Sequence, residues 1–127
     1  MSSQALEGKK YISLKTYRRN GEEVPTPVWF VQRDGRVFVW TVSTTGKVKR
    51  IRNNAKVAVA PCTMRGEPLG PYIEGVATLS DDDSSQELRK AFKSKYGLML
   101  LLDRAMPRLG KKEKRVFVSI TLPSLRA

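Results

Sequence analysis

Apolar and polar positions alternate along the first two-thirds of the chain with the period of two that a half-buried strand requires. Lys10 to Arg19 (KYISLKTYRR) sets Ile12 and Leu14 on one face against Tyr11, Ser13, Lys15 and Tyr17 on the other, then meets Asn20-Gly21. Both turn residues tolerate positive φ, the condition for a tight hairpin. Glu23 to Arg33 (EVPTPVWFVQR) returns with Val24, Thr26, Val28 and Phe30 on one face. Pro25 and Pro27 cannot donate ladder hydrogen bonds, so this strand belongs at a sheet edge or is bulged near its start. Asp34-Gly35 marks the next turn and Arg36 to Ser43 a third strand, which together predict a three-stranded meander.

The period then changes. Thr44 to Asn54 opens with capping-type residues and places Val48 and Ile51 at i, i+3, the pattern of a short helix with a narrow apolar stripe. Lys56 to Met64 is a fourth strand, with Val57 and Val59 alternating against Ala58 and Ala60, and Tyr72 to Ser80 a fifth. Asp81, Asp82, Asp83, Ser84 and Ser85 read as a helix start, the acids facing the positive end of the dipole. That helix runs to about Tyr96, presents Leu88, Ala91, Phe92 and Tyr96, and stops at Gly97. Leu98 to Met106 predicts a second helix ended by Pro107, and Arg115 to Leu122 a closing strand. The expectation is a mainly β chain with short helices, six antiparallel strands curled into a small barrel because a sheet of this size must hide its edges.

The chain has 127 residues, room for one domain spanning 1–127, with 1–9 as a flexible N-terminal segment. Lysine plus arginine is 24 against 12 acids, a formal charge of +12 with no histidine. Such a balance points to an anionic partner: nucleic acid, an acidic membrane surface, or a small ligand with phosphates and carboxylates. The absence of histidine removes Ser-His-Asp and Cys-His chemistry. A single cysteine, Cys62, removes internal disulfides and zinc clusters, so no metal site is expected. Cys62 itself reads as a small buried hydrophobe with no base to activate it. The longest apolar run, Leu98 to Leu102, is far short of a spanning helix, and residues 1–10 lack a signal peptide's apolar stretch. A cytoplasmic protein without a membrane partner is expected.

Charge is distributed unevenly. No acid occurs from Gly35 through Gly66, while Arg36, Lys47, Lys49, Arg50, Arg52, Lys56 and Arg65 supply seven cations. Lys47 and Lys49 fall in the first turns of the expected helix, where the dipole is positive and a cation is unfavourable as a cap. With Thr44, Thr45 and Gly46 ahead of them, free backbone N–H groups and hydroxyls make this a cradle for an oxyanion. The bland reading of the same run is a solvated basic face with no ligand. The segment is not a P-loop, because valine follows Gly46-Lys47 where Ser or Thr would hold magnesium, and no G-x-G-x-x-G is present. Trp29, Phe30, Phe38 and Trp40 read mainly as core. With Tyr11, Tyr17 and the cations they could stack bases, but no RNP-type motif supports a nucleic-acid partner.

Four stretches in register carry a family resemblance: Tyr17-Arg18-Arg19-Asn20-Gly21, Thr26-Pro27-Val28-Trp29-Phe30, Thr45 through Asn54, and Val59-Ala60-Pro61-Cys62 with Arg65-Gly66. From about residue 10 to 80 the chain resembles the pyridoxamine 5'-phosphate oxidase-like split β-barrel proteins, a flavin/deazaflavin oxidoreductase superfamily of FMN-binding-like fold. Within it, the chain is most similar to the small members that use the deazaflavin coenzyme F-420.

The resemblance implies a homodimer with cofactor sites at the subunit interface and a small organic molecule as hydride acceptor. It matches Thr26, Pro27, Val28 and Trp29 to the strand beside the tricyclic ring. Trp40, Thr41, Val42 and Ser43 match the next strand, bordering the ring and the sugar-alcohol chain. Thr45, Gly46 and Lys47 match the phosphate-binding turn, with Lys49 and Arg50 as further anion contacts. Pro61, Cys62 and Arg65 are implied to approach from the partner subunit. The FMN oxidases of the family carry an arginine where Gly46 stands here, so FMN is the alternative cofactor and F-420 the favoured one. F-420 adds a phosphodiester and carboxylates to the ring, which suits a wide cationic groove. No catalytic residue is assigned, in keeping with hydride transfer, where the cofactor does the chemistry and the protein supplies orientation and electrostatics. Tyr72 is the one residue considered as a proton donor.

Overall fold

The computed structural model describes residues 6–33, 35–80, 85–102 and 115–122. The alternating segments form β1 (Tyr11–Tyr17), β2 (Glu23–Val28), β3 (Val31–Arg33), β4 (Arg36–Val42), β5 (Lys56–Cys62), β6 (Ile73–Ser80) and β7 (Arg115–Thr121). Two helices interrupt them, α1 (Gly46–Asn53) between β4 and β5, and α2 (Gln86–Leu102) between β6 and β7. All strand pairs are antiparallel, in the order β2-β1-β5-β6-β7-β4-β3.

The expected six-stranded barrel is corrected to an open seven-stranded sheet among the described residues. The segment Glu23 to Arg33 is two strands, and the meander is two hairpins. β2 pairs with β1 at one edge, β3 pairs with β4 at the other, and Trp29-Phe30 carries the chain between them. The physical reason lies in the buried residues at the break. Phe30 is fully buried, and both its backbone groups bond the Tyr96 hydroxyl of α2 at 2.8 Å instead of continuing a ladder. β2 is an edge strand, as Pro25 and Pro27 require, because one set of alternate N–H groups there has no neighbour to serve.

The local patterns fold as their periodicities dictate. Gly21 adopts φ 89° in the β1–β2 turn, where the Asn20 side chain accepts the Glu22 N–H at 2.9 Å. Ile12 and Leu14 are fully buried on the inner face of β1. They pack with Val37, Val39, Val57 and Val59 in the main core, against which α1 lays Ile51. Val48 and Ile51 are the buried residues of that helix. Burying each such side chain stabilises the fold by roughly 1.5–3 kcal/mol, enough to hold a helix too short to persist alone. α2 packs Leu88, Ala91, Phe92 and Tyr96 against Trp29, Val31 and Phe117 in a second, aromatic core. The Ser85 hydroxyl accepts the Leu88 N–H at 3.2 Å at its start, and non-helical dihedrals at Gly97 divide it. The expected caps at Asp81 to Ser84 and the helix end at Met106-Pro107 lie outside the described residues, as do positions 1–5 of the N-terminal segment. No helix among the described residues is long and apolar enough to cross a membrane.

Candidate functional site

Two features of the topology open a cleft. The chain leaves β2 at Val28 to cross toward β3, and β4 ends at Val42 just before α1 begins. A cavity of about 360 Å³ lies there. Pro27, Val28 and Trp29 line it from the end of β2 and the crossing, Trp40 and Thr41 from β4, and Lys47 from the first turn of α1. Tyr11, at the start of β1, and Met64, just after β5, complete the lining.

The aromatic walls are held from behind. Trp29 stacks on Tyr96 with ring centroids 4.4 Å apart and planes 5° from parallel. The Tyr96 hydroxyl accepts the Phe30 N–H and lies 2.8 Å from the carbonyls of Lys10 and Phe30, so one group pins β1, the crossing and α2 together. Burial pushes that hydroxyl's pKa up, partly offset by its bond to Phe30, and it stays a neutral phenol. Trp40 stacks on Phe117 at 5.5 Å and meets Phe92 at 5.7 Å. The Arg89 and Arg115 guanidiniums lie over its ring at 5.7 and 5.3 Å. Its indole N–H is buried and, among the described residues, has no hydrogen-bond partner. Leaving such a donor unmet costs about 1–3 kcal/mol.

The cationic end is under electrostatic tension. Lys47 is half-buried, and desolvation first, then the Arg50 guanidinium, hold its amine below the ordinary lysine value. Arg50 is lowered in turn, by desolvation and then by Arg18. Among the described residues no carboxylate bridges Lys47, while Arg18 is taken by Glu22 at 3.1 Å. Arg50 donates from Nε to the fully buried Thr16 hydroxyl at 2.6 Å, and its guanidinium folds back over Gly46. Like charges crowded with no carboxylate bridging Lys47 or Arg50 among the described residues favour an anion between them, whose charge offsets both the repulsion and the desolvation penalty.

Of the residues anticipated from sequence, the cleft gathers Pro27, Val28, Trp29, Trp40, Thr41 and Lys47. The others stand near it or away from it. Thr26 points opposite to Pro27 and pairs with Leu14, and Val42 pairs with Arg115. Ser43 follows Val42 in the turn into α1. Thr45 is the N-cap of α1, yet its hydroxyl donates to the Val42 carbonyl at 3.0 Å rather than capping the helix. Gly46 begins that helix, and Lys49 is exposed on it. Pro61 and Cys62 are buried in β5 opposite Ile12 and Tyr11, and Arg65 is exposed in the following turn. Burial pushes the Cys62 thiol's pKa up, the opposite of an activated nucleophile. Tyr72 does not line the cleft; its hydroxyl bonds Ser13 at 2.8 Å and its ring carries the Lys15 ammonium at 3.8 Å. Tyr11 and Met64 were not anticipated at the site. The one signal in the sequence is a tyrosine on the outward face of β1; the 66 % exposure of Met64 emerges only with the fold.

No protein-family model matches the chain, and no curated protein does. Solved structures do match it in fold. A Listeria innocua protein described as a candidate pyridoxamine 5'-phosphate oxidase aligns with TM-score 0.65 and 16% identity, covering 96% of this chain and 90% of its own. An F-420 reductase aligns with TM-score 0.65 and 18% identity over 94% of this chain and 91% of its own. A heme storage protein of Vibrio cholerae reaches TM-score 0.69 at 14% identity, over 95% and 87%. The chain therefore has the fold of the pyridoxamine 5'-phosphate oxidase-like proteins. That fold serves proteins of different named activities, so function has to be read from the site.

Proposed function

We propose that this protein is a coenzyme F-420-dependent oxidoreductase that moves a hydride between the reduced deazaflavin and a small organic acceptor. Lys47 carries the reading: a half-buried lysine in the lining of an aromatic cleft, crowded by Arg50 and matched by no acid among the described residues. A ligand that is flat at one end and anionic at the other answers both halves of that environment. Pro27, Val28, Trp29 and Trp40 offer the apolar wall for the ring. Lys47 holds the phosphate-bearing chain, with Arg50 beside it for the more distant charges. When bound, the deazaflavin supplies the hydride from its ring carbon C5, and the protein's share is to orient ring and acceptor and to exclude water. Among the described residues the lining contains no carboxylate or imidazole, as that division of labour allows. A homodimer is part of the proposal: Met64 in the lining is largely exposed, and a second copy seated against it would narrow the cleft.

Equilibrium titration of coenzyme F-420 into the protein, followed by the cofactor's fluorescence, tests the proposal. Saturable one-to-one binding per chain is expected, weakened at least 10-fold in Lys47→Ala, since a charge-assisted contact to an anion contributes about 1.5–3 kcal/mol. Tighter binding of FMN than of F-420 in the same assay would move the assignment to a flavin enzyme on this fold. Binding of neither, or an affinity indifferent to Lys47→Ala, would sink it.

A further inference from the structure

Thr16 departs from the pattern of its strand. Ile12 and Leu14 give the inner face of β1 apolar side chains, and the next inner position carries a hydroxyl although it too is fully buried. Valine has nearly the same shape, so packing alone does not call for threonine there. A buried hydroxyl is costly unless it is bonded, and this one is bonded on both sides. It donates to the Val24 carbonyl of β2 at 3.4 Å and accepts the Arg50 Nε–H of α1 at 2.6 Å. With its proton committed to the carbonyl, the oxygen meets Arg50 as an acceptor.

Gly46 departs from the pattern of its helix. Glycine is a poor helix former, and Gly46 is not among the glycines of positive φ, so its backbone does not require one. What is used is the space. A Cβ at this position would stand 2.9 Å from Arg50 Nη1 and 3.6 Å from its Cζ. Arg50 lies one turn later, and side chains on a helix lean back toward its start. The guanidinium therefore covers the residue next to Lys47, which lines the cleft. Arg50 is also, after desolvation, a cause of the lowered Lys47 amine, so the two cations sense each other. Among the described residues Nη1 and Nη2 make no hydrogen bond and no ion pair. The guanidinium is thus fixed at Nε and open at its terminal nitrogens.

We infer that Thr16 and Gly46 are positioning residues that hold the Arg50 guanidinium over the first turn of α1, where it shares with Lys47 the anionic tail of the ligand in the cleft. Thr16 sets the direction of the guanidinium through Nε and leaves the terminal nitrogens for the ligand. Gly46 supplies the room. The inference rests on the cofactor reading for its ligand and on the Thr16, Arg50 and Gly46 geometry for the rest.

Two measurements test it, the first without ligand. Solvent exchange of arginine Nε–H groups, followed by NMR on the 15N-labelled chain, is expected to be at least 10-fold slower at Arg50 than at the exposed Arg65. Thr16→Val should bring Arg50 to the Arg65 rate, and Thr16→Ser should keep it slow. The second measurement compares the affinity for coenzyme F-420 with that for the deazaflavin nucleoside lacking the phosphate and its tail. Thr16→Val and Gly46→Ala are each expected to weaken F-420 at least 5-fold and the nucleoside less than 2-fold, with Thr16→Ser close to the unaltered chain. Gly46→Ala should do so while the urea midpoint holds or rises, since alanine favours the helix. In an Arg50→Ala background neither change should weaken F-420 further. Equal losses for both ligands, losses undiminished in that background, or an Arg50 Nε–H exchanging at the Arg65 rate would overturn the inference. Protection at Arg50 in a chain that binds no F-420 would support the positioning and overturn the cofactor reading.

Discussion

Removing one oxygen atom from Tyr96 probes how the cleft is held open. The hydroxyl accepts the Phe30 N–H and donates its single proton to the carbonyl of Lys10 or Phe30, all at 2.8 Å. Tyr96→Phe keeps the ring, and with it the stack on Trp29 at 4.4 Å, but deletes both hydrogen bonds. The Phe30 N–H then stays buried without an acceptor, at a cost of about 1–3 kcal/mol, and the lost bond to carbonyl adds about 1 kcal/mol. The expected destabilisation is therefore about 2–4 kcal/mol. At an unfolding entropy of about 2.1 cal/mol/K per residue, this lowers Tm by roughly 7–15 °C for a chain of this length. Urea unfolding followed by circular dichroism should show the midpoint falling with an unchanged m-value. A loss under about 0.5 kcal/mol would refute the clamp, since the crossing at Trp29-Phe30 would then be held by packing alone.

Gly75 tests the tightness of the β6–β7 contact: a Cβ there would come within 2.7 Å of the Thr121 carbonyl and 2.6 Å of a Leu122 methyl. Gly75→Ala is expected to cost about 1–3 kcal/mol in the same denaturation experiment, because a ladder carbonyl cannot step aside as a flexible side chain can. The Lys95 amine titrates near 8 in the folded chain, below its unfolded value, so the unfolded chain holds more protons between roughly pH 8 and 10.5. Stability gains a contribution from this group as pH rises through that window. Lys95→Met should flatten the difference in urea midpoint between pH 7.5 and 9.5 relative to the unaltered chain, and an undiminished difference would contradict the assignment. The buried Cys62 thiol, its pKa raised, should react with iodoacetamide at pH 8 far more slowly in the folded chain than in urea.

What could be read from sequence was what neighbouring residues decide among themselves. The faces of β1, the Asn20-Gly21 hairpin, the Val48–Ile51 stripe of α1 and the Leu88 to Tyr96 face of α2 all follow from spacing within a dozen residues. The break between β2 and β3 did not. Phe30 is apolar and fits a continuing strand equally well, and what ends the strand is Tyr96, sixty-six positions further along. A miss of that kind moves β3 to the far edge of the sheet and turns a six-stranded barrel into seven open strands. The site shows the same division. Lys47 and the Pro27–Trp29 wall were visible as local patterns, whereas Tyr11 joins them only through cross-strand register with Cys62, and Met64 through the turn after β5. The basic run also read as an undivided field. The fold separates it into Lys47 in the cleft, Arg50 bound to Thr16 behind it, and Lys49 in solvent.

A crystal structure of the protein grown with coenzyme F-420 examines the account at its centre. The account predicts the ring seated between Pro27, Trp29 and Trp40, with the first phosphate of its chain on the Lys47 amine. Cofactor density anywhere else on the molecule, or an empty cleft in crystals grown at saturating cofactor, would contradict it.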